Sequence, residues 1–256
     1  MSEERQGLEL SEQELTELIE KAKDFFRTEI APSHIANTEK LVRLKEFNLN
    51  PFLNKYKASF LTGNVEPESI ARALVYPRVL GTSIDTTFGS RLQKFCSEVL
   101  EGFASTTSGI DIEFIDKIDG NRKYCQIKAG PNTINKDDVE TIKGHFAKVR
   151  NLARTNGTRI AMDDMVLGVF YGTPQELSQH YKNVDEDYPV IVGEEFWHRL
   201  TGDKTFYDRI TDAMGEVASE FDSSELIEKV IKTLAEEIAK LDGFEPDNPP
   251  IVEVQL

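Results

Sequence analysis

Two short alternating segments carry the residues of this chain best suited to chemistry. Ile110-Asp111-Ile112-Glu113-Phe114-Ile115 alternates apolar and polar positions, and Tyr124-Cys125-Gln126-Ile127-Lys128 does so again. That period is the mark of a half-buried strand, and Asp119-Gly120 between the segments is a two-residue hairpin signal. With that turn, Asp111 lies opposite Lys128 and Glu113 opposite Gln126. All four then project from one face, while Ile112, Phe114, Cys125 and Ile127 form an apolar face behind them. A slip of one residue would exchange the faces, so the apolar pattern itself favours this partition.

Two carboxylates, an amide and an ammonium converging on one face suit a hard cation. Magnesium takes oxygen ligands, draws on one or two carboxylates, and completes its shell with water and substrate phosphate. A lysine beside it can orient or activate a water and stabilise charge on the phosphate. Together they suit phosphodiester hydrolysis. The same residues also fit a plain cross-strand ion pair between Asp111 and Lys128, worth about 0–1 kcal/mol when exposed. Other chemistries lack their residues. The four histidines show no HExxH spacing and the GxxxxGK[ST] loop is absent. Cys96 and Cys125 form no CxxC pair. Asp111 and Glu113 make a poor glycosidase pair, because residues i and i+2 of one strand flank the same side of a bond.

The elements that must position this hairpin are mostly helical. Apolar residues from Leu15 to Phe26 recur at helical spacing, with Ser11 and Glu14 as a capping box. A short helix over 39–47 ends at Asn50-Pro51; another covers 67–80, and a longer one runs from Thr87 to Leu100. After the hairpin, Asn135 caps a helix over 136–154 with Val139, Ile142, Phe146 and Val149 inward. Val166–Tyr171 and Val190–Val192 read as strands. Helices follow around Phe196-Trp197-Leu200, over 205–218 and over 224–241, and the Pro-rich end from Phe244 reads as a tail. Trp197 belongs in the core, and Arg122 and Lys123 at the hairpin tip belong in solvent. This order predicts an α/β sandwich around a mixed sheet. Its parts are an N-terminal helical region 1–85, a core 86–221, and a C-terminal helix and tail 222–256.

The formal charge of −15 argues against a nucleic-acid partner only until its distribution is followed. Acids concentrate in 1–29 and 222–256, whereas 121–160 holds nine Lys and Arg against three acids. One basic segment on an acidic chain can still bind phosphate, more weakly as salt rises. No apolar run approaches the roughly 18 residues that span a bilayer. The first thirty residues are acidic rather than basic and then apolar, so no signal peptide and a cytoplasmic location are expected.

Ser108-Gly109-Ile110-Asp111-Ile112-Glu113-Phe114, followed by Gln126-Ile127-Lys128-Ala129-Gly130-Pro131-Asn132, resembles the active-site hairpin of type II restriction endonucleases of the PD-(D/E)xK superfamily. More narrowly it resembles the PmeII-type group, whose sites centre on GG-any-CC. Asn50-Pro51-Phe52 with Lys55 and Ala58, Phe88-Gly89, Val166–Gly172, and Phe196-Trp197 with Thr201-Gly202 extend the resemblance, in order, over about residues 48–210. It implies a restriction-endonuclease-like mixed sheet flanked by helices. It also implies a homodimeric, Mg2+-dependent enzyme that cuts double-stranded DNA at a short site protected in the host by a cognate methyltransferase.

By that resemblance Asp111 takes the place of the metal-binding aspartate and Lys128 that of the catalytic lysine. Gln126 stands where the motif usually has a second acid. Glu98, on the preceding helix, or Glu113 is then expected to supply the missing charge. Asn132, Asn135 and Lys136 near a helix N-terminus, with Lys143 and Arg150 further along it, are candidate DNA contacts; Asn135 is foremost an N-cap. Two other readings share the hairpin: a structure-specific repair or resolvase-type nuclease, and a DNA-binding protein whose site has decayed at Gln126.

Overall fold

The computed structural model describes residues 9–244. Its α-helices are α1 (Glu12–Phe25), α2 (Ala31–Glu39), α3 (Pro51–Thr62), α4 (Pro67–Pro77), α5 (Ile84–Glu98), α6 (Lys136–Thr155), α7 (Gln179–Asp185), α8 (Glu194–Thr201), α9 (Phe206–Ser219) and α10 (Ser224–Ile238). The strands are β1 (Ile112–Ile115), β2 (Arg122–Lys128), β3 (Met165–Val169) and β4 (Val190–Val192). The chain divides into two compact units, Met1–Glu29 with Phe88–Ser219 and Ile30–Thr87 with Glu220–Leu256.

The first unit holds the sheet, in order β1-β2-β3-β4, with β1 antiparallel to β2 and the other pairs parallel. Parallel neighbours need a crossover, and α6 and α7 supply one each. This is the mixed α/β architecture expected. Met165, Leu167 and Val169 on one sheet face share a core with Ile142, Phe146 and Val149 of α6. On the other face Gly168 leaves room for Cys125 and Phe196. Beyond them Phe25, Phe95, Phe170, Trp197 and Phe206 pack ring to ring, with centroids 4.8 to 5.3 Å apart. Such contacts add about 0.5–1.5 kcal/mol each beyond area burial. Trp197 is fully buried, and its indole N–H donates to the Phe170 carbonyl at 3.1 Å. The expected capping box opens α1, with the Ser11 hydroxyl and the Glu14 carboxylate exchanging bonds with each other's backbone N–H.

The hairpin turn is wider than Asp119-Gly120 suggests. Asp116 N–H donates to the Asn121 carbonyl and Gly120 N–H to the Asp116 carbonyl, both at 2.9 Å. The loop is therefore residues 117–120, closed by Gly120 at φ 77°. The buried Asp116 carboxylate sets it by accepting N–H groups of Ile118 (2.8 Å) and Asp119 (3.4 Å). Register moves accordingly. Ile112 pairs with Cys125 and Glu113 with Tyr124, so one step further Asp111 comes level with Gln126 rather than Lys128. The correction is a full pleat, and the partition of faces survives: Ile112, Phe114, Cys125 and Ile127 are all buried. Lys123, expected in solvent, is buried as well and bonds Asp119 at 2.7 Å and Asp164 at 3.1 Å.

The second unit is helical throughout its described residues. Leu41, Ala58, Ile70, Ala71, Val75, Ile231 and Leu234 form its core. Arg72 of α4 grips Glu228 of α10 through both guanidinium nitrogens, at 2.8 and 2.6 Å. Residues 39–47, expected as a helix, form two 3₁₀ turns, Lys40–Val42 and Leu44–Glu46. Asn50-Pro51 starts a helix instead of only ending one. The Asn50 carboxamide accepts N–H groups of Phe52 and Leu53 at 3.1 and 3.4 Å, and Pro51 suits the first turn. The helix expected over 67–80 passes into a π-helical turn at Arg78–Ser83. The tail beyond Phe244 lies outside the described residues. No helix among those described is long and apolar enough to cross a membrane.

Candidate active site

Asp111 immediately precedes β1, while Gln126 and Lys128 stand two apart on β2 and share a face. These three residues open onto one cleft of about 440 Å³, together with Ile127, Ala129 and Thr133 and with Gly89, Leu92 and Gln93 of α5.

The Asp111 carboxylate accepts the Ile127 N–H at 2.7 Å, and its own N–H donates to the Cys125 carbonyl at 2.9 Å. Burial pushes this carboxyl above the ordinary carboxylate range, against the opposing pull of the Ile127 amide, Lys128 and His145. The Gln126 side-chain nitrogen lies 3.0 Å from His145 Nδ1. Gln126 Oε1 is buried with no hydrogen-bond partner among the described residues. An unsatisfied buried acceptor costs about 1–3 kcal/mol, and this one belongs to a residue that lines the same cleft as Asp111. Gly109 makes the arrangement feasible. It sits at φ 84°, and a Cβ there would meet the His145 ring at 2.9 Å.

Lys128 Nζ stands 3.9 Å from one oxygen of Asp138, whose other oxygen accepts the Asn135 N–H at 2.9 Å. Asn135 in turn accepts the N–H groups of Asp137 and Asp138 at 2.8 and 3.0 Å. Its carboxamide is thus engaged as the cap of α6. The loop between Lys128 and this cap is pinned by the hydroxyls of Thr133 and Tyr181, which donate to the Gly130 carbonyl at 2.9 and 2.8 Å.

Neither acid expected to replace the missing charge lines the cleft. Glu98 is exposed and pairs with Lys94 at 3.6 Å. At about 100° per residue it lies roughly opposite Gly89 on α5. Glu113 accepts the Ser105 and Thr107 hydroxyls at 2.6 and 3.0 Å and pairs with Arg122 at 3.2 Å. Burial raises the Glu113 carboxyl, but these three donors outweigh it and hold it below the usual range.

Among the described residues no group of three or more His, Cys, Asp or Glu is placed to hold a metal. A cation here would rest on Asp111 and Gln126, with water and phosphate for the remainder, and the orphaned Oε1 fits that role. Both cysteine thiols are buried. Burial pushes the Cys96 thiol up to about 12 and that of Cys125 well above its ordinary value.

Of the candidate DNA contacts, Asn132 and Lys136 are exposed near the start of α6. Lys143 is paired with Asp187 at 2.5 Å. Arg150 donates to the Ile160 carbonyl at 3.4 Å and lines a second cleft, of about 460 Å³, with Arg154 and Arg159. Sequence reasoning missed Gln93 and set His145 aside for want of a metal motif. Their signal was positional: Gln93 is four residues after Gly89 on α5, and His145 adjoins Phe146 at the edge of the buried stripe of α6.

The family model for type II restriction endonuclease EcoO109I matches residues 13–222, a span containing the hairpin and both clefts. No match was found among curated proteins. The chain belongs to the EcoO109I family of type II restriction endonucleases, enzymes that cleave double-stranded DNA at specific sequences.

Proposed function

We propose that Asp111, Gln126 and Lys128 carry out Mg2+-dependent hydrolysis of a DNA phosphodiester bond. The observation that carries this reading is Gln126, which lines one cleft with Asp111 and Lys128 and whose Oε1 is buried with no partner among the described residues. Magnesium, when bound, supplies electrophilic stabilisation of the phosphate and favours deprotonation of a water. Asp111 contributes the negative charge of the site, and Gln126 a neutral oxygen. Lys128 holds the attacking water and neutralises charge on the phosphate oxygens. A P–O bond forms to that water, the P–O bond to the leaving sugar oxygen breaks, and the sugar oxygen takes up a proton. His145 positions Gln126 by holding its amide nitrogen, which leaves the oxygen for the cation.

Glu98 and Glu113 are assigned supporting or surface roles. Asn132, Lys136 and the Arg150, Arg154 and Arg159 group contact phosphates. Arg150 is fourteen residues along α6 from Lys136, about 21 Å at ~1.5 Å per residue, so these contacts spread over much of a duplex turn. Every one of these residues falls within 86–221, the segment assigned as nuclease core. The enzyme acts in the cytoplasm as a homodimer, alongside a methyltransferase for the same site, and its sequence favours the GG-any-CC-centred group.

The test is incubation of the purified protein with unmethylated plasmid DNA in magnesium, beside Lys128→Ala. Discrete fragments that vanish in the variant support the reading, and sequencing their ends gives the site. Duplex binding without cleavage in magnesium or manganese would sink it in favour of a decayed site. Cleavage only of branched DNA would instead favour a structure-specific nuclease.

A further inference from the structure

One wall of the cleft is α5, whose lining residues Gly89, Leu92 and Gln93 stand at i, i+3 and i+4 and so share a face. Leu92 is a buried apolar floor. Gln93 is exposed, and no group among the described residues engages its carboxamide. The nearest cations of α5 are occupied elsewhere, since Arg91 and Lys94 both pair with Glu29, at 3.7 and 2.6 Å. Asp111 and Lys128 are the only charged residues that line the cleft, and their charges cancel. A phosphodiester backbone entering it therefore finds no net positive charge on this wall, only a neutral donor. Gly89 is the second notable residue. A glycine inside a helix weakens it relative to alanine. Packing explains such a residue at Gly168, where a Cβ would meet Phe196 at 2.8 Å, but at Gly89 a Cβ would meet nothing within 4 Å. Gly144 of α6 and Gly215 of α9 have the same open space, yet of the three only Gly89 lines the cleft. The missing side chain serves no contact within the protein, and the room it leaves belongs to the cleft.

We infer that this face of α5 is a ledge on which the DNA strand lies as it crosses the cleft. Gly89 lets the sugar–phosphate backbone come against the helix, which is the close approach that a glycine permits. One turn further along, the Gln93 side-chain N–H donates to a phosphate oxygen. The inference rests on the reading of Asp111, Gln126 and Lys128 as the nuclease site, and adds a positioning element on α5. Uncharged side-chain donors commonly hold phosphate oxygens, and they fix the register of a strand without reading its bases. A neutral donor also leaves the negative charge of the phosphate to Lys128 and the cation.

Steady-state cleavage of a duplex oligonucleotide carrying the enzyme's site tests the inference, with Gly215→Ala as the control. Both Gly89→Ala and Gly215→Ala should raise the thermal midpoint, by about 2 °C. Only Gly89→Ala should impair cleavage, raising KM about fivefold with kcat within about twofold. Gly89→Leu should raise KM about 50-fold in a protein that melts no lower than the wild type. A glycine with a merely structural role cannot give a stabler protein with a higher KM. Gln93→Ala should raise KM about tenfold, the loss of one hydrogen bond to a charged group, and Gln93→Glu about 50-fold, through repulsion of the phosphate. Wild-type KM in Gly89→Leu overturns the ledge. Retained cleavage with tighter Mg2+ binding in Gln93→Glu overturns the phosphate contact and assigns Gln93 to the cation. Should the wild type cut no DNA, the nuclease reading fails and fluorescence anisotropy of the same duplex decides the ledge. Binding about 50-fold weaker in Gly89→Leu sustains it on a site that no longer cuts, while equal binding, or none by the wild type, overturns it.

Discussion

At the turn end of the β1–β2 hairpin, Asp116, Lys123, Asp164 and Arg199 are buried or half-buried and, with the exposed Asp119, supplied with partners. At its open end Asp111, Gln126 and Lys128 are half-buried too, but Gln126 and Lys128 are less completely supplied. Asp116 alone accepts two backbone N–H groups and the Arg199 guanidinium, the last at 2.7 Å. Lys123 is bonded to two carboxylates and to the Asp163 carbonyl. By contrast, Gln126 Oε1 has no donor and the Lys128–Asp138 pair stands at 3.9 Å. Both ends place charged groups inside the same unit. Only one leaves binding capacity unused, and that unused capacity, more than the count of buried charges, separates a site from a brace.

Substitution at the two ends should therefore move different observables. Asp111→Asn and Lys128→Ala should each lower the cleavage rate at least 10³-fold, about 4 kcal/mol of barrier. Chemical denaturation should place both within about 1 kcal/mol of the wild type, since the Lys128 pair is long and half-exposed. Loss of folding at the same substitutions would break the contrast.

Asp116→Ala should do the reverse. Removing one partner of a buried ion pair costs about 3–5 kcal/mol, and the lower end applies because Arg199 is partly exposed. Urea titration should register that loss, while cleavage by the remaining folded protein stays near wild type. Gln126→Glu sharpens the comparison from the other side. A second carboxylate beside Asp111 repels it in the absence of a cation and lowers the thermal midpoint. The same charge should tighten Ca2+ binding about tenfold by calorimetry, roughly 1.4 kcal/mol. The smallest effect belongs to Glu98→Ala, for which Ca2+ affinity should stay within about twofold; a tenfold loss would bring Glu98 into the site. An exposed pair with Lys94 is worth less than about 1 kcal/mol.

The hairpin's two faces were legible in the sequence because a period of two is local and survives an error of a full pleat. Its register was not, since the loop width is set by the Asp116 side chain and its Arg199 partner far along the chain. Glu98 looked apt by its place before the hairpin, yet helical phase turns it away from Gly89 and Gln93. The π-helical and 3₁₀ stretches blurred boundaries around 26–30, 40–46 and 78–83. Helix α3 escaped notice for a different reason. Its apolar residues do not mark its inner face, and Asn54 and Ala58 do not look like a core stripe. The partners of Gln126 lie on α6, and no local pattern announces them.

One bond at the site has an experimental consequence. The Ile127 amide donates to the Asp111 carboxylate, where a neighbouring strand would ordinarily have offered a carbonyl. That amide resonance is thereby a spectroscopic gauge of the carboxylate beside it. A cation on Asp111, as proposed above, would draw electron density from the carboxylate, weaken the acceptor and shift the Ile127 signal, with the amide of Phe170, bonded to the Lys128 carbonyl, as internal reference. Occupancy of the proposed centre would thus be readable from a single backbone proton, before any DNA is added.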